Sequence, residues 1–150
     1  MIYMSHRGNV DGPNKDVENR PEYIKSAMYM GFNVEVDVWL IGSDFYLGHD
    51  EPQYKIAEDF LRNRKLLCHC KNVSALEKML EENIHCFSHE SDKYAFTSEG
   101  IVISHPGLSC NSKKLLIMRP ELYTRKIPDC YGICSDYIYQ YREEYENEKN

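Results

Sequence analysis

Residues 33–50, NVEVDVWLIGSDFYLGHD, begin as an apolar strand that nevertheless contains two carboxylates. Side chains in a strand alternate between its two faces, so the valines at 34, 36 and 38 share one face. Glu35, Asp37 and Trp39 then share the other face. Two like charges one pleat apart repel each other and are costly to remove from water. The pattern predicts a buried strand with a cationic group between Glu35 and Asp37.

The composition predicts one globular domain, residues 1–150, with no membrane span. The chain is 42% hydrophobic, enough for a sizeable core, and has no apolar run of about 18 residues. The N-terminus MIYMSHRGNV lacks the apolar region and cleavage site of a secretory signal, which favours a cytoplasmic protein. A net charge of −6 without a Lys/Arg cluster argues against nucleic acid as a partner. No oligomer interface stands out.

The six cysteines predict reduced thiols rather than a disulfide framework, because three of them fall within strand-like apolar runs. The spacings CHC (68–70) and CYGIC (130–134) do not match the paired C-x-x-C of zinc knuckles. A structural zinc site stays open as an alternative. The simpler interpretation is that the thiols are small buried side chains facing a layer of helices.

Strand and helix signals alternate along the first 90 residues and predict an α/β architecture. Strands are expected at 2–6, 33–41, 45–48, 66–71 and 84–88, and helices at about 21–30, 57–63 and 74–82. Pro21 and Gly31 delimit the first helix, and Ser74 with Glu77 forms a capping box. After residue 90, four strand-like stretches follow with short turns, and a helix returns at about 137–148. Together these elements predict a compact (β/α)8 TIM-type barrel that has lost several helices in its second half.

Three polar motifs fall at or near the carboxyl ends of predicted strands: residues 5–8 (SHRG), the Glu35–Asp37 pair and residues 48–50 (GHD). In a parallel barrel these ends form the face on which active sites are built, so the motifs are expected to converge. His6 and His49 supply two imidazoles that titrate near neutrality, and the carboxylates suit a hard cation. The combination predicts a metal-assisted acid/base site.

The same motifs resemble the glycerophosphodiester phosphodiesterase family, within the phosphatidylinositol-phospholipase-C-like superfamily. The matching elements occur in the family's order and approximate spacing: His6-Arg7-Gly8, Glu18-Asn19, Ala27, Gly31, Glu35-x-Asp37 and His49-Asp50. Further along, LLCHCKN is similar to the family's third-strand motif, and GICSDY is similar to the late strand that leads to Asp136. The resemblance covers most of the chain and is closest up to Asp50.

The resemblance implies a metal-dependent phosphodiesterase of lipid metabolism that acts on a small-molecule phosphodiester. His6 and His49 would be the general acid and base, and Glu35 with Asp37 would bind Mg²⁺ or Ca²⁺. Arg7, whose planar fork of donors suits a phosphate, would hold a phosphoryl oxygen. Lys71, in the third-strand motif, would be a second substrate-binding residue.

His69 stands where the family commonly has a third acidic ligand. As a metal ligand it would make the site more tolerant of Mn²⁺ or Zn²⁺; as an interior histidine it would only need a hydrogen-bond partner. The residues alone leave both interpretations open. Asn19 is interpreted as a cap of the first helix. The alternative function is a catalytically reduced module of the same fold, which binds a metal and a phosphate-containing ligand without turnover.

Overall fold

The computed structural model describes residues 1–124 and 126–149. Within these residues ten strands form one sheet: β1 (Ile2–His6), β2 (Asn33–Ile41), β3 (Asp44–Leu47), β4 (Tyr54–Ile56), β5 (Leu66–Cys70), β6 (Cys86–Phe87), β7 (Tyr94–Phe96), β8 (Val102–Ser104), β9 (Leu115–Met118) and β10 (Gly132–Ser135). The described residues also contain four α-helices and one 3-10 helix: α1 (Pro21–Tyr29), α2 (Glu58–Leu61), α3 (Val73–Glu81), α4 (Ile138–Glu148) and the 3-10 helix Pro120–Leu122.

The predicted (β/α)8 TIM-type barrel is wrong, because the sheet is mixed and curls into a half-barrel. Its strands lie in the order β6-β5-β2-β1-β10-β9-β8-β7, and these neighbours are parallel except for β7 and β8. β3 pairs antiparallel with the second half of β2, and β4 pairs antiparallel with β3. Both pairings lie outside a parallel barrel, and β4 is a strand that the sequence analysis missed.

Short connections account for the difference from a barrel. Two residues join β2 to β3, and five residues (97–101) join β7 to β8. Connections of this length give antiparallel neighbours, since a parallel crossover needs about a dozen residues. The later parallel pairs are instead linked by residues 105–114 and 119–131, whose described residues contain no α-helix. The half-barrel therefore keeps parallel strands on both sides of β1 without a full ring of helices.

The two faces of the sheet bury different sets of side chains. The valines of β2 pack on the outer face with α1 and α3, in a core that also contains the free thiols of Cys68, Cys70 and Cys86. The inner face has its own apolar cluster, contributed by seven strands: Met4, Leu67, Phe87, Ala95, Ile103, Leu116 and Cys134. Side chains from such distant strands meet because the sheet curls. The predicted division of β2 into an apolar face and a carboxylate face is confirmed.

Most predicted elements are present with shifted ends, but the two capping predictions are wrong. β1 and β2 have the predicted bounds, whereas α3 begins with Asn72 as its N-cap, whose side chain accepts from the backbone of Ala75. Ser74 lies inside that helix. Arg20, not Asn19, is the N-cap of α1. None of the helices in the described residues is long and apolar enough to cross a membrane.

Candidate functional site

The polar side chains of β1, β2 and β5 meet on the inner face of the sheet. Strand register pairs His6 with Glu35 and Asp37 with His69. Parallel strands in register place paired residues on the same face, so residues that are distant in sequence become neighbours. The predicted convergence of the His6 motif with the carboxylates of β2 is therefore present.

Asp37 is completely buried and is surrounded by groups that stabilise its negative charge. Its Oδ2 accepts from Asn19 Nδ2 at 2.9 Å and lies 3.0 Å from Arg7 Nε. Lys71 Nζ is 3.8 Å from Oδ1. Burial alone would raise the pKa of Asp37, but hydrogen bonding from His69 and the charge of Arg7 hold this pKa well below its usual range. The strand pattern predicts a cationic group between Glu35 and Asp37, and Arg7 and Lys71 supply part of that positive charge beside Asp37.

Asn19 helps to hold Asp37 rather than capping α1. It adopts a left-handed conformation with φ 63°, and its Oδ1 also accepts from the backbone N–H of Asp37 at 3.0 Å. Asparagine tolerates this conformation better than most side chains. A pair of hydrogen bonds therefore connects the loop before α1 to the face of β2 that carries the carboxylates.

Glu35 is 1% exposed, and its environment differs from that of Asp37. Its Oε2 is buried, has no hydrogen-bond donor among the described residues and lies 3.9 Å from His6 Nε2. Burial and the negative charge of Asp37 raise the pKa of Glu35. Two neighbouring carboxylates with pKa values pushed in opposite directions are typical of functional sites.

His69 faces both carboxylates through one ring nitrogen. Its Nδ1 lies 3.2 Å from Asp37 Oδ1 and 3.7 Å from Glu35 Oε1. Its Nε2 is 3.2 Å from the carbonyl oxygen of His89, and its ring stacks on Phe87 with centroids 4.6 Å apart. When Nε2–H donates to this carbonyl, the Nδ1 lone pair faces the carboxylates, as in many metal-ligating histidines.

The three side chains Glu35, Asp37 and His69 can hold a metal ion. One ligand atom from each lies within 4.8 Å of the others. Among the described residues, Glu35 Oε2 has no hydrogen-bond donor, and Asp37 Oδ1 gains one from His69 Nδ1 only when that nitrogen carries a proton, so both oxygens are unfavourably placed unless a cation balances them. In the absence of a metal, a protonated His69 would fulfil this role: burial lowers its pKa, but the hydrogen bond to Asp37 and the charge of Glu35 raise it overall.

Asp136 orients His6, a role that the sequence analysis did not assign. His6 Nδ1 and Asp136 Oδ1 are 2.7 Å apart, and both side chains are buried. Asn9 Nδ2 donates to the same oxygen at 2.8 Å, and Arg119 Nε lies 3.2 Å from Oδ2. Burial alone would raise the pKa of Asp136, but the His6 hydrogen bond lowers it. The available signal was an aspartate directly after a buried strand.

Arg7 follows β1 in a left-handed conformation, with φ 57°. Its Nη1 donates to Glu18 Oε2 at 3.3 Å, while its Nε faces Asp37. Glu18 Oε1 accepts from Asn9 at 2.9 Å, which links the Arg7 contacts to those of Asp136. The His6-Arg7 motif is therefore embedded in a buried polar network rather than being a simple strand end.

His49 lies on the loop after β3, and its side chain is 42% exposed. Gly48 precedes it with φ 152°, and a Cβ there would overlap the backbone oxygen of Glu51, so only glycine suits this position. Trp39 Nε1 donates to the Gly48 carbonyl at 2.7 Å, which anchors the loop to β2. Asp50 Oδ1 is 2.7 Å from His49 Nδ1 and orients the imidazole.

Two adjacent cavities open at this site. The inner cavity, of about 280 Å³, extends under β6, β8 and β9, and the outer cavity, of about 480 Å³, lies beside the loops after β1 and β3. Four residues line both: His6, Arg7, His49 and Arg119. Glu35 and His69 line the inner cavity. Lys71 is in the wall of neither, so its predicted contact with substrate stays a prediction.

Comparisons with known proteins do not assign the chain to a family. No family model matches the sequence, no curated protein is similar to it, and no solved structure matches the fold.

Proposed function

We propose that the protein is a metal-dependent hydrolase of small-molecule phosphodiesters, of the glycerophosphodiester phosphodiesterase type. The observation that carries the proposal is the position of the Glu35, Asp37 and His69 cluster beside a cavity that His6 and His49 also line. A candidate metal site next to two imidazoles provides the groups that metal-assisted acid/base chemistry requires.

Glu35, Asp37 and His69 would hold the metal ion. Two carboxylates suit Mg²⁺ or Ca²⁺, and the imidazole nitrogen also makes the site compatible with Mn²⁺ or Zn²⁺. When bound, the metal would neutralise charge on the nonbridging phosphate oxygens. Arg7 supports this arrangement from the side, because it faces Asp37 and lines both cavities.

The two histidines would exchange protons with the reacting oxygens. Asp136 accepts the Nδ1 proton of His6, which leaves the Nε2 lone pair available to take a proton from the attacking hydroxyl or water. His49, held at Nδ1 by Asp50, would donate a proton to the oxygen of the departing alcohol. The attacking oxygen forms a bond to phosphorus, and the bond to the departing oxygen breaks.

Hydrolysis of bis(p-nitrophenyl) phosphate and of glycerophosphodiesters tests this proposal. Purified protein is assayed in EDTA and with Mg²⁺, Ca²⁺, Mn²⁺ or Zn²⁺, beside Glu35→Gln and the matched surface variant Glu58→Gln. We expect turnover that needs a metal, that Glu35→Gln abolishes and that Glu58→Gln retains. A folded, metal-loaded protein that cleaves none of these diesters would contradict the hydrolase and favour the binding module.

A further inference from the structure

Arg119 is a basic residue of the site that belongs to none of the motifs recognised in the sequence. It follows β9 at the carboxyl end of the strand and lines both cavities, together with His6, Arg7 and His49. Its side chain is 35% exposed. Its guanidinium is therefore accessible at the junction of the two cavities, where a ligand that extends into both would have to pass.

The backbone of Arg119 adopts a conformation that is unfavourable for a residue with a side chain. Its φ of 44° and ψ of 57° are left-handed, a region that glycine and asparagine occupy more easily. Its N–H donates to the carbonyl of Cys134 on β10 at 2.7 Å, so the sheet holds it in place. Strain of this kind persists mainly at functional sites, and here an arginine occupies a position that suits glycine.

The two arginines of the site differ in how far the protein compensates their charge. Arg7 faces two carboxylates, Glu18 and Asp37. Among the described residues, Asp136 is the one carboxylate within ion-pair distance of Arg119, and it is shared with His6. The guanidinium of Arg119 is thus the less compensated and the more exposed of the two.

The charge of the whole ion-pair network leads to the same conclusion. The carboxylates linked through these contacts are Glu18, Glu35, Asp37 and Asp136, and the permanently cationic groups are Arg7, Lys71 and Arg119. In the form that binds a metal, with all four carboxylates ionised and His6 and His69 neutral, the side chains of the network together carry one negative charge. A divalent ion makes it one charge positive, which matches one phosphodiester anion. Without Arg119 the loaded network would have no positive charge left for the ligand.

We propose that Arg119 is a second phosphate-binding residue, whose guanidinium binds a nonbridging oxygen of a phosphodiester at the junction of the cavities. The two alcohol groups of the diester then extend into the inner and outer cavities. This inference rests on the proposed function for the chemical nature of the anion. It adds a binding role to a residue that the family resemblance does not include.

Binding of dimethyl phosphate, a minimal diester anion, in the presence of Mg²⁺ tests the role of Arg119 without turnover. We expect Arg119→Gly to lower the affinity by about 10- to 100-fold, as for the loss of one charge-assisted hydrogen bond. Arg119→Lys should lose less, because it keeps the charge. Arg62→Gly, which removes a surface arginine with the same change of net charge, should bind like the parent. Equal affinity of Arg119→Gly and the parent would overturn the proposal.

The stability and the Mg²⁺ affinity of Arg119→Gly distinguish direct binding of the diester from a purely structural role of Arg119. If Arg119 binds the diester directly, the relief of left-handed strain by glycine offsets the loss of the partly exposed ion pair with Asp136, so the urea midpoint of Arg119→Gly should stay near that of the parent. Its Mg²⁺ affinity should also be retained, since Arg119 contacts none of the three candidate ligands. A variant that binds the diester weakly only because it is partly unfolded, or because it no longer binds Mg²⁺, would refute the direct contact.

The same variants separate this inference from the proposed hydrolase. If the parent binds dimethyl phosphate through Arg119 but cleaves no diester, the hydrolase is wrong and the anion site stands. If the parent cleaves diesters and Arg119→Gly has an unchanged KM and kcat, the hydrolase stands and the role of Arg119 is refuted.

Discussion

Substituting Asp37→Asn and Glu35→Gln in parallel separates the contributions of the two carboxylates of β2. In the metal-free protein, Asp37 balances Arg7 Nε at 3.0 Å, His69 Nδ1 at 3.2 Å and Lys71 Nζ at 3.8 Å. Asparagine would remove the one carboxylate that all three basic groups share, and would leave Arg7 with Glu18 and His69 with Glu35. Removing one partner of a buried ion pair typically costs about 3–5 kcal/mol, a large share of the roughly 5–15 kcal/mol that stabilises a domain.

Glu35→Gln should have the opposite effect on the metal-free protein. Because burial and Asp37 raise the pKa of Glu35, the folded state holds this proton to a higher pH than the unfolded state does. The stability that protonated Glu35 contributes is therefore lost as the pH rises through its folded pKa. A neutral glutamine avoids this loss, so in EDTA near pH 7 the variant should be within about 1 kcal/mol of the parent or more stable.

Urea unfolding followed by the fluorescence of Trp39, the single tryptophan, measures both variants. In EDTA, Asp37→Asn should unfold at a clearly lower urea concentration than Glu35→Gln. Because the folded pKa of Asp37 is lowered, its contribution to stability is present above its unfolded pKa and is lost as the pH falls through its folded pKa. The penalty of Asp37→Asn should therefore shrink in acid.

Adding metal to the same samples tests the ligand assignment. At a Mg²⁺ concentration about 100 times the Kd, the parent should gain about 2.7 kcal/mol, and both variants should lose most of this gain. If Glu35→Gln is destabilised in EDTA as strongly as Asp37→Asn, the interpretation of Glu35 as an uncompensated carboxylate is wrong. If either variant retains the full stabilisation by Mg²⁺, that residue is not a ligand.

Three further predictions concern the neighbours of the carboxylates. His49→Ala should leave the urea midpoint unchanged, since the side chain is partly exposed. It should lower the rate of diester cleavage by about 10²- to 10⁴-fold, and an unchanged rate would remove His49 from the mechanism. Asn19→Ala should cost about 2–3 kcal/mol in urea unfolding, because Asp37 loses two hydrogen bonds, whereas a loss below about 0.5 kcal/mol would contradict that role. The affinity for Mg²⁺, measured by calorimetry, should fall from about pH 8 to about pH 6, because protons compete with the metal for His69. Burial lowers the pKa of His69, but the contact with Asp37 raises it overall. An affinity independent of pH would exclude His69 as a ligand.

Local periodicity determined much of what could be predicted about the site. The alternation along β2 places Glu35 and Asp37 on one face, and the same rule applied to β5 places His69 and Lys71 together. These relations follow from the geometry of a single strand and need no knowledge of the remaining chain. They were sufficient to predict a buried acidic pair beside a cationic group, and the structure has that arrangement.

The order of strands and helices along the chain was less informative about the overall fold. Alternating strands and helices predicted the parallel pairs of β1, β2 and β5, but the same pattern is compatible with a closed barrel or a curled half-barrel. The lengths of the connections after β2 and after β7 decided against the barrel, because they allow only antiparallel return strands. The sequence pattern after residue 90 shows short turns, but it predicts a barrel with lost helices rather than an antiparallel pair.

Residue type and strand periodicity are local properties, so they are enough to identify the groups that carry the proposed chemistry. The groups that support them come from distant segments and depend on the fold. Asp136 reaches His6 across 130 positions because β10 pairs with β1, and Arg119 reaches Asp136 because β9 pairs with β10. Such contacts depend on which strand becomes the neighbour of β1, and that choice is made by the packing of the entire sheet rather than by any segment of the chain.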